Sequence, residues 1–213
     1  MRNHGKSDAS WDRWDVDENA DVVISILKEL GISSCNIVGW SMGSAVAMSI
    51  AKKNKPLVNK LVLITPFSWL GGAVYSDKVA FKIFVSFVRI RERLFPNFNP
   101  KSKFSFLKKS NSINDEYTEW AWNNLHKSKD DFIYADGGRF VVPYDARPWI
   151  QEIEAETLVI TGGRDKLVPE ETSNDVVKRL NEVKVKTFPD AGHSVPWTHE
   201  EDLLTELREF FSL

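Results

Sequence analysis

Cysteine is almost missing from this chain: of its 213 residues only Cys35 is one. An intrachain disulfide is therefore excluded, and nothing in the cysteine usage demands an oxidising compartment. A basic surplus is missing too. Lys and Arg number 28 against 30 Asp and Glu, a net charge of −2, which argues against a nucleic-acid partner. No apolar run reaches the roughly 20 residues of a membrane-spanning helix, so no stable membrane insertion is expected. The first residues lack the make-up of a secretory leader, and a cytoplasmic location is expected. The four histidines are scattered. No cluster of metal ligands, internal repeat or low-complexity stretch appears, and neither metal nor cofactor is expected. What is present is an ordinary globular composition, 42% hydrophobic and 27% charged. That supports a core in one domain carrying an insertion.

Hydrophobic periodicity alternates between helix and strand. Val22, Val23, Ile26, Leu27 and Leu30 form one stripe of a helix over 18–30, which Gly31 ends. Strands are expected at 35–39, 60–65, 157–161 and 183–188. Helices are expected after Ser41, from Pro169, and over 199–211, the last burying Leu203, Leu204, Leu207, Phe210 and Phe211. The series predicts an α/β fold, a parallel sheet with helices on both faces. Cys35 is expected on a buried strand, as a small core hydrophobe. Residues 70 to about 150 break the alternation, with a mostly apolar stretch over Val79–Ile90 and an aromatic helix around Tyr117, Trp120 and Trp122.

The most informative stretch is Gly39-Trp40-Ser41-Met42-Gly43, which reads G-x-S-x-G. A β-prone run precedes it and a small-residue, helix-compatible run follows. The serine is thus expected on a tight strand-to-helix turn, with glycines two residues to either side allowing close backbone approach. The Met42 N–H, at the helix start, is placed to stabilise an oxyanion. A serine hydroxyl needs a histidine to take its proton and a carboxylate to hold that histidine. Both follow in order. Asp165 lies on the loop after strand 157–161, and His193 on the loop after strand 183–188. Each has a plainer reading: Ser41 as a turn residue, Asp165 as a turn-capping aspartate, His193 as a loop histidine. His199 is the nearest competitor, but it stands at a helix start with an expected Thr198/Glu201 capping box and reads as a surface residue. Asp190 is too close in sequence to His193 to orient it.

With these residues in place the chain resembles the α/β-hydrolases, in the serine-hydrolase group of esterases, lactonases and C–C-bond hydrolases. Arg2-Asn3-His4-Gly5-Lys6-Ser7-Asp8, Gly39–Gly43, Gly162–Pro169 and Ala191-Gly192-His193 carry the resemblance in the family's order. It implies a parallel-sheet core in two parts, 1–69 and 151–213, with a helical cap inserted over 70–150. It implies catalysis by Ser41, Asp165 and His193, with the Met42 N–H in the oxyanion hole and no cofactor. A cap rich in Phe81, Phe84, Phe87, Trp120 and Trp122 favours a small apolar or aromatic, ester-like substrate. Trp40, Trp120 and Trp122 are the candidate substrate contacts. A serine at the nucleophile position disfavours the dehalogenases and epoxide hydrolases, which use aspartate there.

The resemblance also implies an N-terminally truncated core. Strands, a first helix and a second oxyanion donor ordinarily precede a loop like Arg2–Asp8, so Met1 reads as an internal methionine of a longer protein. Two consequences are expected. Strand 35–39 becomes an exposed edge prone to self-association. The oxyanion hole keeps one donor, a loss of about 10²–10³ in rate. A non-catalytic ligand-binding module on the same fold, and an inactive fragment, are the alternatives to an enzyme.

Overall fold

The structure, a computed structural model, describes residues 15–69 and 144–213, with positions 7 and 94. The Arg2–Asp8 motif other than Ser7, and the expected cap up to residue 143 other than Leu94, lie outside the described residues. So do Trp120 and Trp122.

Four strands form one parallel sheet in the order β1-β2-β3-β4: β1 Cys35–Trp40, β2 Val58–Ile64, β3 Glu156–Gly162 and β4 Val183–Phe188. All four match the expected strands to within two residues at either end. The two inner strands read as continuous apolar runs because both their faces are covered. Leu61 and Leu63 point to one core cluster, Val62 and Ile64 to the other. All four are at most 2% exposed, and each such side chain contributes about 1.5–3 kcal/mol by burial.

Three helices cover the first face: α1 Val16–Glu29, α2 Met42–Lys53 and α3 Glu170–Val177. The second carries α4 Val195–Thr198 and α5 Glu200–Phe211. α1 opens with a reciprocal capping box, Asp15 accepting from the Glu18 N–H and Glu18 from the Asp15 N–H. It ends before Gly31 at φ +71°, a left-handed position that glycine adopts without penalty.

The buried stripe of α1 differs from the expected one. Val16, Ala20, Val23, Ile24 and Leu27 face the core. Val22, Ile26 and Leu30 are exposed. Polar pairs to α2 accompany this rotation: the Ser49 hydroxyl donates to Asp17, and Lys53 pairs with Asp21 at 2.7 Å. On α5, Leu204 is likewise exposed while Leu203 and Phe210 are buried, with Leu207 and Phe211 packed beside them. Cys35 is half-buried rather than fully buried. β1 pairs on one side only among the described residues, and Asn36 and Val38 on it are exposed.

The two ends of segment 70–143 are clamped together at the core. Trp69 and Asp145 form an antiparallel bridge, and the Ala146 N–H donates to the Ser68 carbonyl at 2.7 Å. The Arg147 guanidinium lies 4.0 Å over the Trp69 ring and pairs with Asp145 at 2.6 Å. Hydrogen bonds from Arg147 hold the Asp145 carboxyl below its ordinary range. Burial works against the neighbouring Asp175 carboxylate, but hydrogen bonds from Arg179 and Ser68 outweigh it and keep that group low as well. Ala146 and Ile150, at the end of the expected insertion, are fully buried in the core.

Candidate active site

In a parallel sheet every strand's C-terminal end lies at the same edge, and the loops there are where sites form. Trp40 is in register with Ile64, Ile64 with Ile160, and Gly162 with Phe188. The loops after β1, β3 and β4 therefore converge. They carry Ser41, Asp165 and His193.

Ser41 stands between β1 and α2 with φ 52° and ψ −119°. A non-glycine residue in that region stores backbone strain, a feature of functional turns. Its N–H is spent on the Ile64 carbonyl at 2.9 Å, and its own carbonyl accepts from the Ser44 N–H at 2.8 Å. Gly39 is required here: a Cβ on it would stand 2.7 Å from the Gly43 carbonyl carbon and 2.8 Å from the Ser44 Cα. Gly43 differs from expectation, since a Cβ there meets no described atom within 4 Å. The turn's closeness is produced by one glycine, not two. Met42 is the first residue of α2, so its N–H belongs to the open, positive end of the helix.

Asp165 divides its two oxygens. Oδ1 accepts the N–H groups of Leu167 and Val168 at 2.8 and 2.9 Å, shaping the loop. Oδ2 meets His193 Nδ1 at 2.7 Å. The turn-capping and histidine-holding readings of Asp165 thus describe one side chain doing both. Its side chain is 1% exposed, so a competing water is excluded from the pair.

His193 lies on the loop after β4. Its Nδ1 faces Asp165, and its Nε2 lies 2.9 Å from Ser41 Oγ. The loop reaches this place because glycines let two backbones touch. A Cβ on Gly162 would stand 2.7 Å from the Ala191 carbonyl oxygen, and one on Gly163 2.7 Å from that of Pro189. An unbroken line of polar contacts thus runs from Ser41 through His193 to Asp165. Such a line lets a hydroxyl lose its proton to an imidazole that a carboxylate keeps oriented.

The competing residues pair with each other. His199 Nε2 lies 3.2 Å from Asp190, and its Nδ1 2.9 Å from the Thr198 hydroxyl. The expected Thr198/Glu201 capping box does not form. His199 itself is the N-cap of α5, without a side-chain cap bond, because Thr198 ends α4 and bonds back to the Ser194 carbonyl. His199 is half-buried rather than a surface residue.

Two neighbours escaped sequence reasoning. Thr65, directly after β2, has φ 46° and is 1% exposed. Its hydroxyl is the one buried side-chain polar atom without a partner among the described residues. Ser41 and Thr65 are thus strained residues at the ends of adjacent strands, and no sequence pattern marks the second. The other neighbour is Trp197, whose ring meets that of Trp40 at 4.5 Å, edge on. Trp40 also lies 5.5 Å from the His193 ring. Among the described residues no group of three metal-ligating side chains forms, and no helix is long and apolar enough to cross a membrane.

Comparison with known proteins agrees with the architecture. The sequence profile of the alpha/beta hydrolase fold family matches residues 1–200, and the chain belongs to that family. Among its relatives is a 2-hydroxy-6-oxo-6-phenylhexa-2,4-dienoate hydrolase of Burkholderia cepacia, 27% identical over 194 residues, covering 86% of this chain and 64% of the relative. A 2-hydroxy-6-oxononadienedioate/2-hydroxy-6-oxononatrienedioate hydrolase of Comamonas testosteroni is 26% identical with the same coverage. The chain thus spans just under two thirds of the length of these curated relatives. Among solved structures, an esterase from Exiguobacterium antarcticum superposes with a TM-score of 0.78 at 19% identity, over all of this chain and 79% of that one. At that identity the likeness is one of fold.

Proposed function

We propose that this chain is a serine hydrolase whose nucleophile is Ser41. The carrying observation is the continuous Ser41–His193–Asp165 contact, 2.9 Å and then 2.7 Å. Ser41 Oγ attacks a carbonyl carbon as its proton passes to His193 Nε2. The carbonyl oxygen becomes an oxyanion facing the Met42 N–H. His193 then hands the proton to the leaving group, leaving an acyl-serine. Water, deprotonated by the same nitrogen, attacks the acyl carbon and restores Ser41. Asp165 keeps the imidazole in the required tautomer throughout.

The substrate in this reading is a small apolar or aromatic ester or related carbonyl compound, bound beneath a cap formed by the segment after Trp69. The names of the relatives favour a second bond type. Those relatives are hydrolases of 6-oxo dienoates, dienedioates and trienedioates, and in this second reading Ser41 attacks such a ketone carbon while His193 delivers its proton to the departing carbon. Location in the cytoplasm and self-association along β1 belong to the same proposal.

Purified chain should be offered a short aryl ester and 2-hydroxy-6-oxo-6-phenylhexa-2,4-dienoate in parallel. Turnover of either, abolished by Ser41→Ala, supports the proposal and separates C–O from C–C cleavage. A folded chain that turns over neither, or a Ser41→Ala variant as active as wild type, overturns it.

A further inference from the structure

We infer that Trp40 is a positioning residue for the base: its indole N–H fastens the backbone of His193 to the strand that carries Ser41. The inference rests on the serine-hydrolase reading above and adds to it the element that sets the nucleophile-to-base distance.

Trp40 Nε1 donates to the His193 carbonyl at 2.9 Å, across 153 positions of sequence. The next residue, Ser41, meets His193 Nε2, also at 2.9 Å. Two consecutive residues therefore grip one histidine, the first at its backbone and the second at the tip of its ring. On the opposite side the loop is tied to the acid segment, by the Arg164 N–H donating to the Ala191 carbonyl at 2.9 Å and by Asp165 itself. The His193 loop is slung between β1 and the segment after β3. Apart from the Ser41 contact, the indole hydrogen bond is the one polar tether to β1 among the described residues.

The indole is itself held. Strand alternation sends Gly39 toward α2 and Trp40 to the opposite face, against the second core cluster. There its ring packs against Trp197 at 4.5 Å and His193 at 5.5 Å. Trp197 belongs to α4, the turn that leaves the His193 loop, so the aromatic contact braces the loop beyond the histidine as well. If the N–H were removed, the His193 carbonyl would lose its donor and the loop one of its two sides. Displacement of a base by about an ångström is enough to slow a reaction sharply. Trp40 needs no contact with substrate to act this way, so its loss should change the rate and not the affinity.

The test is the rate at which a fluorophosphonate acylates Ser41 in wild type and in Trp40→Phe. The saturating rate should fall about threefold to tenfold, the worth of one neutral hydrogen bond, with the half-saturating probe concentration unchanged. Replacing the indole by the isosteric benzothienyl side chain, which keeps the ring and lacks the N–H, should slow the reaction equally. This variant decides the matter if Trp40→Phe folds poorly. The split between rate and half-saturating concentration is the second readout, since loss of a substrate contact would move the latter. Variants that react at the wild-type rate, or that raise the half-saturating probe concentration with the rate unchanged, overturn the role given to Trp40 while the nucleophile assignment stands. A wild-type chain that takes up no probe overturns the serine-hydrolase reading, and the positioning role with it.

Discussion

Gly39 and Gly43 lie so close that a methyl group on the first would stand 2.7 Å from the carbonyl carbon of the second. Backbone on both sides leaves nothing flexible to give way. Gly39→Ala should therefore cost about 1–3 kcal/mol, as overpacking does, and slow any reaction of Ser41 at least tenfold. A Cβ at Gly43 in α2 meets no described atom within 4 Å, and Gly43→Ala should stabilise by about 0.5–1 kcal/mol. Thermal denaturation of the two variants checks this, and the reverse ranking would show the turn to be built differently.

His193→Ala should remove orders of magnitude from kcat, and Asp165→Asn somewhat less, because nucleophile, base and orienting acid act as one unit. His199→Ala should leave kcat nearly unchanged, since His199 is engaged with Asp190 and Thr198. Steady-state rates on an aryl ester decide the matter. A His199→Ala variant more damaged than His193→Ala would reassign the base.

Acid should loosen the clamp at the ends of segment 70–143. Asp145 and Asp175 are both held below the ordinary carboxylate range in the folded chain, so folding favours their charged forms. Their contribution is complete above the unfolded value of about 3.9 and is lost as pH falls through the lower folded values. The melting temperature should therefore drop on acidification below about pH 4. Combined Asp145→Asn and Asp175→Asn should lower it at neutral pH and flatten that acid slope. An unchanged slope in the double variant would contradict the assignment.

The outer strand makes a separate prediction. Val38 is 48% exposed on β1, beside backbone groups that pair on one side only among the described residues. Flat apolar edges of this kind recruit other strands, and a lysine blocks them. Val38→Lys should shift the chain toward monomer in sedimentation velocity, with little change in melting temperature. A chain already monomeric at high concentration, or self-association that survives the substitution, would remove β1 as the contact.

Much of this was legible in the sequence because period and position carry it. The runs Leu61–Ile64 and Leu158–Ile160 could only be strands covered on both faces. G-x-S-x-G between a strand and a helix fixed where Ser41 would emerge. Asp165 and His193 each follow a strand, and parallel strands end at one edge. What escaped depended on contacts between distant elements. α1 carries two overlapping apolar stripes, one through Val22, Ile26 and Leu30 and one through Val16, Ala20, Ile24 and Leu27. The packing against α2, with Asp17 and Asp21 meeting Ser49 and Lys53, goes with burial of the second. The left-handed backbone of Thr65 runs against the preference of a β-branched residue. Trp40 stood among the substrate candidates because it neighbours Ser41, yet its N–H is spent on the His193 carbonyl. Only the fold brings those residues together. The cap residues Trp120 and Trp122 lie outside the described residues.

The central claim is that Ser41 is a nucleophile made reactive by His193 and Asp165. Its most direct test is intact-protein mass spectrometry after exposure to a fluorophosphonate, followed by peptide mapping. One adduct per chain is expected, on the peptide containing Ser41, absent from Ser41→Ala and strongly slowed in His193→Ala. A folded chain that gains no adduct, or an adduct that persists at full stoichiometry in Ser41→Ala, would contradict it.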